Sequence, residues 1–125
     1  MSIAGTKPDL GPLGPGLRAA LGKLAGPGRL LTDPADCWPY GYDNSRRQAL
    51  PQAVVFASDA DQVAALVRLC ADAALPLIAR GRGTVTTGAT VPDRGGVVLS
   101  FERMGRILRI DPGDRIAVVE PGVIN

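Results

Sequence analysis

The stretch LIARGRGTVTTGATVP, Leu77 to Pro92, sets three glycines and four threonines behind an apolar run, with Arg80 before the first glycine and Arg82 between the first two. Between Arg82 and Val91 the only bulky side chain is Val85. Glycine leaves backbone amides bare and threonine adds short hydroxyl donors, so successive N–H groups here can wrap an anionic group without a helix dipole. The same composition suits a surface turn with solvated threonines, and the residue types alone leave both readings open.

Two better-known phosphate loops are excluded. Gly83 to Thr90 reads GTVTTGAT, which has the spacer and final hydroxyl of a Walker A loop, but Ala89 stands where a lysine must reach the phosphates. Pro92, Gly95 and Gly96 also break any helix that would follow. A dinucleotide fingerprint fails because Val85 and Thr86 occupy the place of its third glycine, again with no helix N-terminus behind them.

The chain contains no histidine. A Ser-His-Asp triad, a Cys-His pair, a histidine-ligated zinc and a histidine general base are therefore excluded within it. Cys37 and Cys70 fit no C-x-x-C pattern, and MSIAGTKPDLGPLGPG has no secretory h-region, so unbridged cysteines and a cytoplasmic setting are expected. Fourteen basic and twelve acidic side chains, net +2, are scattered without a basic stripe, and aromatics are only 4%, so nothing points to nucleic acid. No apolar run approaches the ~18 residues that cross a bilayer.

At 125 residues and 46% hydrophobic, the chain has the size and composition of one domain or part of one. Residues 1–16, rich in glycine and proline, read as a flexible lead-in, and residues 17–125 as one unit. Leu17, Ala20, Leu21 and Leu24 mark a short amphipathic helix stopped by the GPG at 26–28. DCWPYGYDNSRRQALP, Asp36 to Pro51, reads as an ordered loop whose aromatics cover the core edge or touch a ligand.

AVVFA at 53–57 is a buried strand. Ser58, with Asp61 three residues on, is expected to cap a helix carrying Val63, Leu66, Val67, Cys70 and Ala74 on its apolar face, and Pro76 ends it. LPLIA at 75–79 then makes a parallel βαβ unit with a right-handed crossover, and the glycine loop leaves the carboxyl end of its second strand. GVVLSF at 96–101 is a third strand. RILRI and RIAVVE form a hairpin around DPGD at 111–114, which has the type II preference. The last strand ends with no element covering it, as expected of a fragment.

From Tyr42 onward the chain resembles the PCMH-type FAD-binding domain of the vanillyl-alcohol oxidase superfamily, in the branch of the glycolate oxidase flavoprotein subunit and D-lactate dehydrogenases. The resemblance rests on YDNS at 42–45, RGxGT at 80–84, TGATVP at 87–92, GGVVLSFERMGRILRID at 95–111 and VEPGV at 119–123. It implies an α+β fold, the first subdomain of such a domain, with a small parallel sheet, a βαβ crossover and a C-terminal hairpin.

It also implies that FAD is the cofactor, its pyrophosphate held at Gly81, Arg82, Gly83, Thr84, Val85, Thr86, Gly88, Ala89 and Thr90. Val85 and Arg82 depart from the smaller residues usual at their positions, and Arg80 is expected to pair with an acid or a carbonyl. Without histidine to attach a flavin, binding would be non-covalent. The implied reaction is hydride transfer from C2 of a small 2-hydroxy acid to the flavin, with no catalytic residue in this chain. It implies either an enzyme of which this is a part, a split module completed by a partner subunit, or an inactive truncation, placed in the cytoplasm and reaching the inner membrane only through partners.

Overall fold

The computed structural model describes residues 10–125. Most of the expected lead-in, residues 1–9, lies outside the described residues. Its end is shorter than expected: the Gly11 carbonyl accepts a hydrogen bond from Gln52 Nε2 at 2.9 Å, and helix α1 (Pro15–Ala25) begins with Pro15 near its start, where a missing N–H costs nothing. Gly26, at φ +85°, ends it.

The elements that follow are β1 (Leu30–Leu31), α2 (Pro34–Cys37), a 3-10 turn (Trp38–Tyr40), β2 (Ala53–Phe56), α3 (Ala60–Asp72), β3 (Leu77–Arg80), β4 (Val97–Ser100), β5 (Ile107–Asp111) and β6 (Ile116–Val119). The main sheet has the order β1-β2-β4-β3. β2 and β3 both run parallel to β4, which lies between them, and β1 is an antiparallel edge. The βαβ unit is present, but its two strands are not neighbours.

β2 and β4 are buried along their whole length, as strands covered on both faces must be. Alternate residues feed two clusters. Ala53, Val55, Val97 and Leu99 pack with Leu21 of α1 and Leu66 and Cys70 of α3, while Val54, Phe56 and Val98 face Cys37 with Leu31 and Tyr40 beside it. Tyr40 meets Phe56 edge-on at 5.6 Å, so one aromatic of the 36–51 segment does cover the core edge, whereas Trp38 and Tyr42 are exposed.

Four local expectations shift. Asp59, not Ser58, caps α3: its carboxylate accepts from Gln62 N at 2.9 Å, and Gln62 Oε1 accepts from Ser58 N at 2.8 Å. Val67 is exposed, because the burial stripe runs through Leu66 and Cys70. Ala74 lies beyond the helix in a left-handed conformation, φ +50°, with Ala74 N donating to Ala71 O and Leu75 N to Cys70 O, the paired bonds of a Schellman stop. This stop delays the next strand to Leu77.

The hairpin turn is not type II, since Gly113 is not left-handed. Arg115 is, at φ +56°, and Asp114 N donates to Asp111 Oδ1, so a four-residue connection replaces the shorter turn. The hairpin forms its own sheet and leaves Ile107, Leu108, Ile110 and Ile116 exposed. Among the described residues no helix is long and apolar enough to cross a membrane.

Candidate functional site

The carboxyl end of β3 releases the chain into the loop of residues 81–90, and a second segment, Tyr42 to Ser45, lies along it. Asn44 joins the two: its backbone N donates to Val85 O at 3.0 Å, and its Nδ2 donates to Thr84 O at 3.1 Å. Asp43, buried beside it, accepts from Ser45 N at 2.8 Å and from the Thr90 hydroxyl at 3.3 Å. These bonds, from Ser45 first and then Thr90, hold the Asp43 carboxyl below the usual carboxylate range against the opposing effect of burial. Both ends of the loop are thus tied to one short strap.

Two arginines support the loop, Arg80 from beneath it and Arg82 from its exposed side. Arg80 is buried, with Nη1 donating to Tyr42 O at 2.7 Å, Nη2 reaching Pro39 O at 3.5 Å, and its guanidinium 5.8 Å from the centre of the Tyr40 ring. It pairs with carbonyls rather than an acid. Gly83 has φ +69°, and a β-carbon there would overlap the Arg80 guanidinium, so any side chain would be strained and would displace Arg80 from its carbonyls. Arg82 turns to the C-terminal side, where Nε and Nη2 donate to Gly122 O at 3.3 and 3.2 Å.

The Gly122 neighbourhood is fixed in its turn. A β-carbon on Gly122 would overlap Phe101 O, and Glu120 accepts from Arg106 N at 2.9 Å and from Arg106 Nε at 2.8 Å. The Arg106 guanidinium keeps Glu120 ionised below the usual carboxylate range.

These contacts have a directional consequence. In a trans peptide the C=O and the following N–H point opposite ways, so gripping the carbonyls of Thr84 and Val85 turns the amides of Val85 and Thr86 away from Asn44. Among the described residues no backbone N–H from Arg82 to Ala89 donates to a protein acceptor, whereas the Thr90 N–H is drawn to the Asp43 carboxylate. A run of oriented, unclaimed amides is a donor set that fits a phosphate group.

Of the sequence-predicted positions, Gly81 and Gly83 are half-buried, Gly88 and Thr90 are buried, and Arg82, Thr84, Val85, Thr86 and Ala89 are exposed. Thr90 spends its hydroxyl proton on Asp43, and Arg82 spends donors on Gly122, so neither offers the free side chain that its type suggests. Sequence reasoning assigned no role to Asn44, Asp43 or Gly122. YDNS and EPG were visible as motifs, but not as the supports of a loop some 40 residues away in sequence.

The cysteines stand apart from this loop. Cys37 and Cys70 are free and buried. Burial, with help from Asp36 and Asp33, pushes the Cys37 thiol up to about 11, and burial raises Cys70 as well.

Comparison with known proteins gives the loop its context. A family model described as an FAD binding domain matches residues 51–125. The glycolate oxidase subunit GlcD of Bacillus subtilis is 35% identical over 103 residues, covering 82% of this chain and 22% of that protein. The D-2-hydroxyglutarate dehydrogenase of Stutzerimonas stutzeri is 38% identical over 111 residues, covering 88% of this chain and 24% of that protein. The crystal structure of p-cresol methylhydroxylase with substrate bound superposes with a TM-score of 0.75 at 28% identity, over 86% of this chain and 22% of that one. This chain therefore spans about a fifth to a quarter of the length of the relatives it matches. By sequence and by fold, it belongs to the FAD binding domain family, in its PCMH type.

Proposed function

We propose that this chain holds the pyrophosphate of FAD in an oxidoreductase that takes a hydride from C2 of a small 2-hydroxy acid of the glycolate or D-lactate type. FAD is the cofactor of the family, and when bound it supplies the two-electron acceptor such an oxidation requires. The observation that carries the reading is the run of unclaimed amides from Arg82 to Ala89, in which Asn44 turns those of Val85 and Thr86 away from the strap. Gly81, Arg82, Gly83, Thr84, Val85, Thr86, Gly88, Ala89 and Thr90 would line the phosphates, the backbone acting as donor and Arg80 and Arg82 fixing its shape.

The chain's own work is to bind and orient. No side chain here is assigned to the reacting atoms, and the base and the substrate carboxylate site are assigned to sequence of the kind that makes up the rest of the longer relatives. Non-covalent attachment is supported by the absence of histidine and by two cysteines that are buried and poorly ionised. The same free cysteines support a cytoplasmic setting.

A second reading is a split module whose flavin site is completed by a partner subunit. It is favoured by the exposed hairpin, where Ile107 is 59% and Ile110 64% accessible, an apolar face that a partner subunit can cover.

Titration of the purified chain with FAD, followed by flavin fluorescence, tests the proposal. Saturable quenching that weakens in Asn44→Ala is expected. A folded chain that leaves flavin fluorescence unchanged would overturn it.

A further inference from the structure

Arg80 is a buried cation without a carboxylate partner. The residue is 8% accessible, and its contacts are two backbone carbonyls and the face of Tyr40. Burying a charge that no opposite charge neutralises is costly, and carbonyl dipoles offset only part of that cost. A fold that keeps such a group places a positive field wherever the group points.

Here it points at the loop. Gly83 lacks a β-carbon in the space that the guanidinium fills, so the charge lies directly against the loop backbone. Asp43, which follows the Tyr42 carbonyl that Arg80 binds, turns its carboxylate to Ser45 and to Thr90 at the far end of the loop and makes no ion pair with Arg80. Arg82 and Arg47, the other cations beside the loop, are differently placed. Arg82 is exposed and bonded to Gly122 O, and Arg47 lies near Gly88, largely exposed and paired with Asp93.

We propose that Arg80 is the fixed, buried source of positive potential that makes the amide cradle select an anionic group, seated toward Gly81–Thr86 rather than toward Thr90. The inference rests on the cradle reading of the loop and adds a specificity-determining residue to it. Arg80 acts through space and through the loop backbone, so it is a positioning and field-setting residue rather than a catalytic one. Because it is buried, its field is screened by salt far less than that of a surface arginine.

The test compares FAD affinity of the full chain with that of Arg80→Lys and Arg80→Gln, at low salt and at about 0.5 M. Glutamine can still donate to the Tyr42 carbonyl but carries no charge. Lysine keeps the charge but loses the fork. Arg80→Gln should weaken binding about tenfold or more, Arg80→Lys should retain most of the affinity, and the ratio between them should persist at high salt.

Equal weakening in both variants would show a purely structural arginine and overturn the inference while leaving the cradle intact. Should the glutamine variant fail to fold, thermal stabilisation of the native chain by inorganic pyrophosphate decides. Stabilisation that survives high salt supports the buried source, and stabilisation abolished by salt assigns the attraction to surface arginines. A native chain that binds neither FAD nor pyrophosphate rejects the cradle itself.

Discussion

Asn44 holds Val85 through the backbone, N to O at 3.0 Å, across 41 residues of sequence, and its side chain takes the neighbouring Thr84 carbonyl. The strap therefore sets the direction of the loop amides, and loss of the side-chain bond should be felt at the cofactor. Asn44→Ala removes one hydrogen bond and leaves the backbone one. A loss of ~1 kcal/mol, roughly fivefold in FAD affinity, is expected with little change in thermal stability. Isothermal titration of the variant against the native chain measures it.

Gly83 tests the packing beneath the loop. Alanine there would meet both a left-handed backbone and the Arg80 guanidinium. Gly83→Ala should destabilise the fold by ~1–3 kcal/mol, whereas Gly105→Ala, with open space around it, should have a far smaller effect. Urea unfolding of the two variants provides the comparison.

Ala74 offers a gain. It sits at φ +50° in the Schellman stop after α3, a position that glycine takes without steric cost. Ala74→Gly should stabilise the chain by ~0.5–1 kcal/mol, seen as a raised Tm with no change in flavin binding.

The thiols should be silent in the native state. Cys37 and Cys70 are buried and their ionisation is suppressed, so a thiol reagent at neutral pH should react with neither until denaturant is added, when both should titrate. Rapid labelling of native protein would contradict the packing of the sheet faces.

Acid should loosen the site. Asp43 and Glu120 both have folded-state acidities below their unfolded values, Asp43 through hydrogen bonds from Ser45 and Thr90 and Glu120 through Arg106. A depressed pKa means the unfolded chain binds the proton more readily. The stability these groups contribute is therefore present above the ordinary carboxylate range and is lost as pH falls through and below it. Chemical denaturation between neutral pH and about pH 3 should show this decline, and it should be shallower in Asp43→Asn.

The strands and α3 were legible because their signals are local: continuous apolar runs such as AVVF and VVLS, and a 3.6-residue stripe through Leu66 and Cys70. The position of the glycine loop at a strand's carboxyl end followed from the same reading. Strand order was not legible, since no periodicity tells that β4 inserts between β2 and β3. Two-residue β1 is too short to leave a pattern. The cap moved from Ser58 to Asp59 because either oxygen could serve, and in the fold Ser58 N is taken by Gln62, whose side chain also ties to the Leu24 and Ala25 carbonyls. Asn44, Asp43 and Gly122 were missed because a polar side chain or a glycine declares its type in sequence, but its partner only in space.

The most direct test of the central claim is the backbone amide spectrum of the chain, recorded by 15N-correlated NMR with and without FAD. If the loop cradles the pyrophosphate, the largest shifts will fall on the amides between Gly81 and Thr90, with Val85 and Thr86 among them. Shifts confined to other segments, or a spectrum unchanged at saturating FAD, would contradict the account.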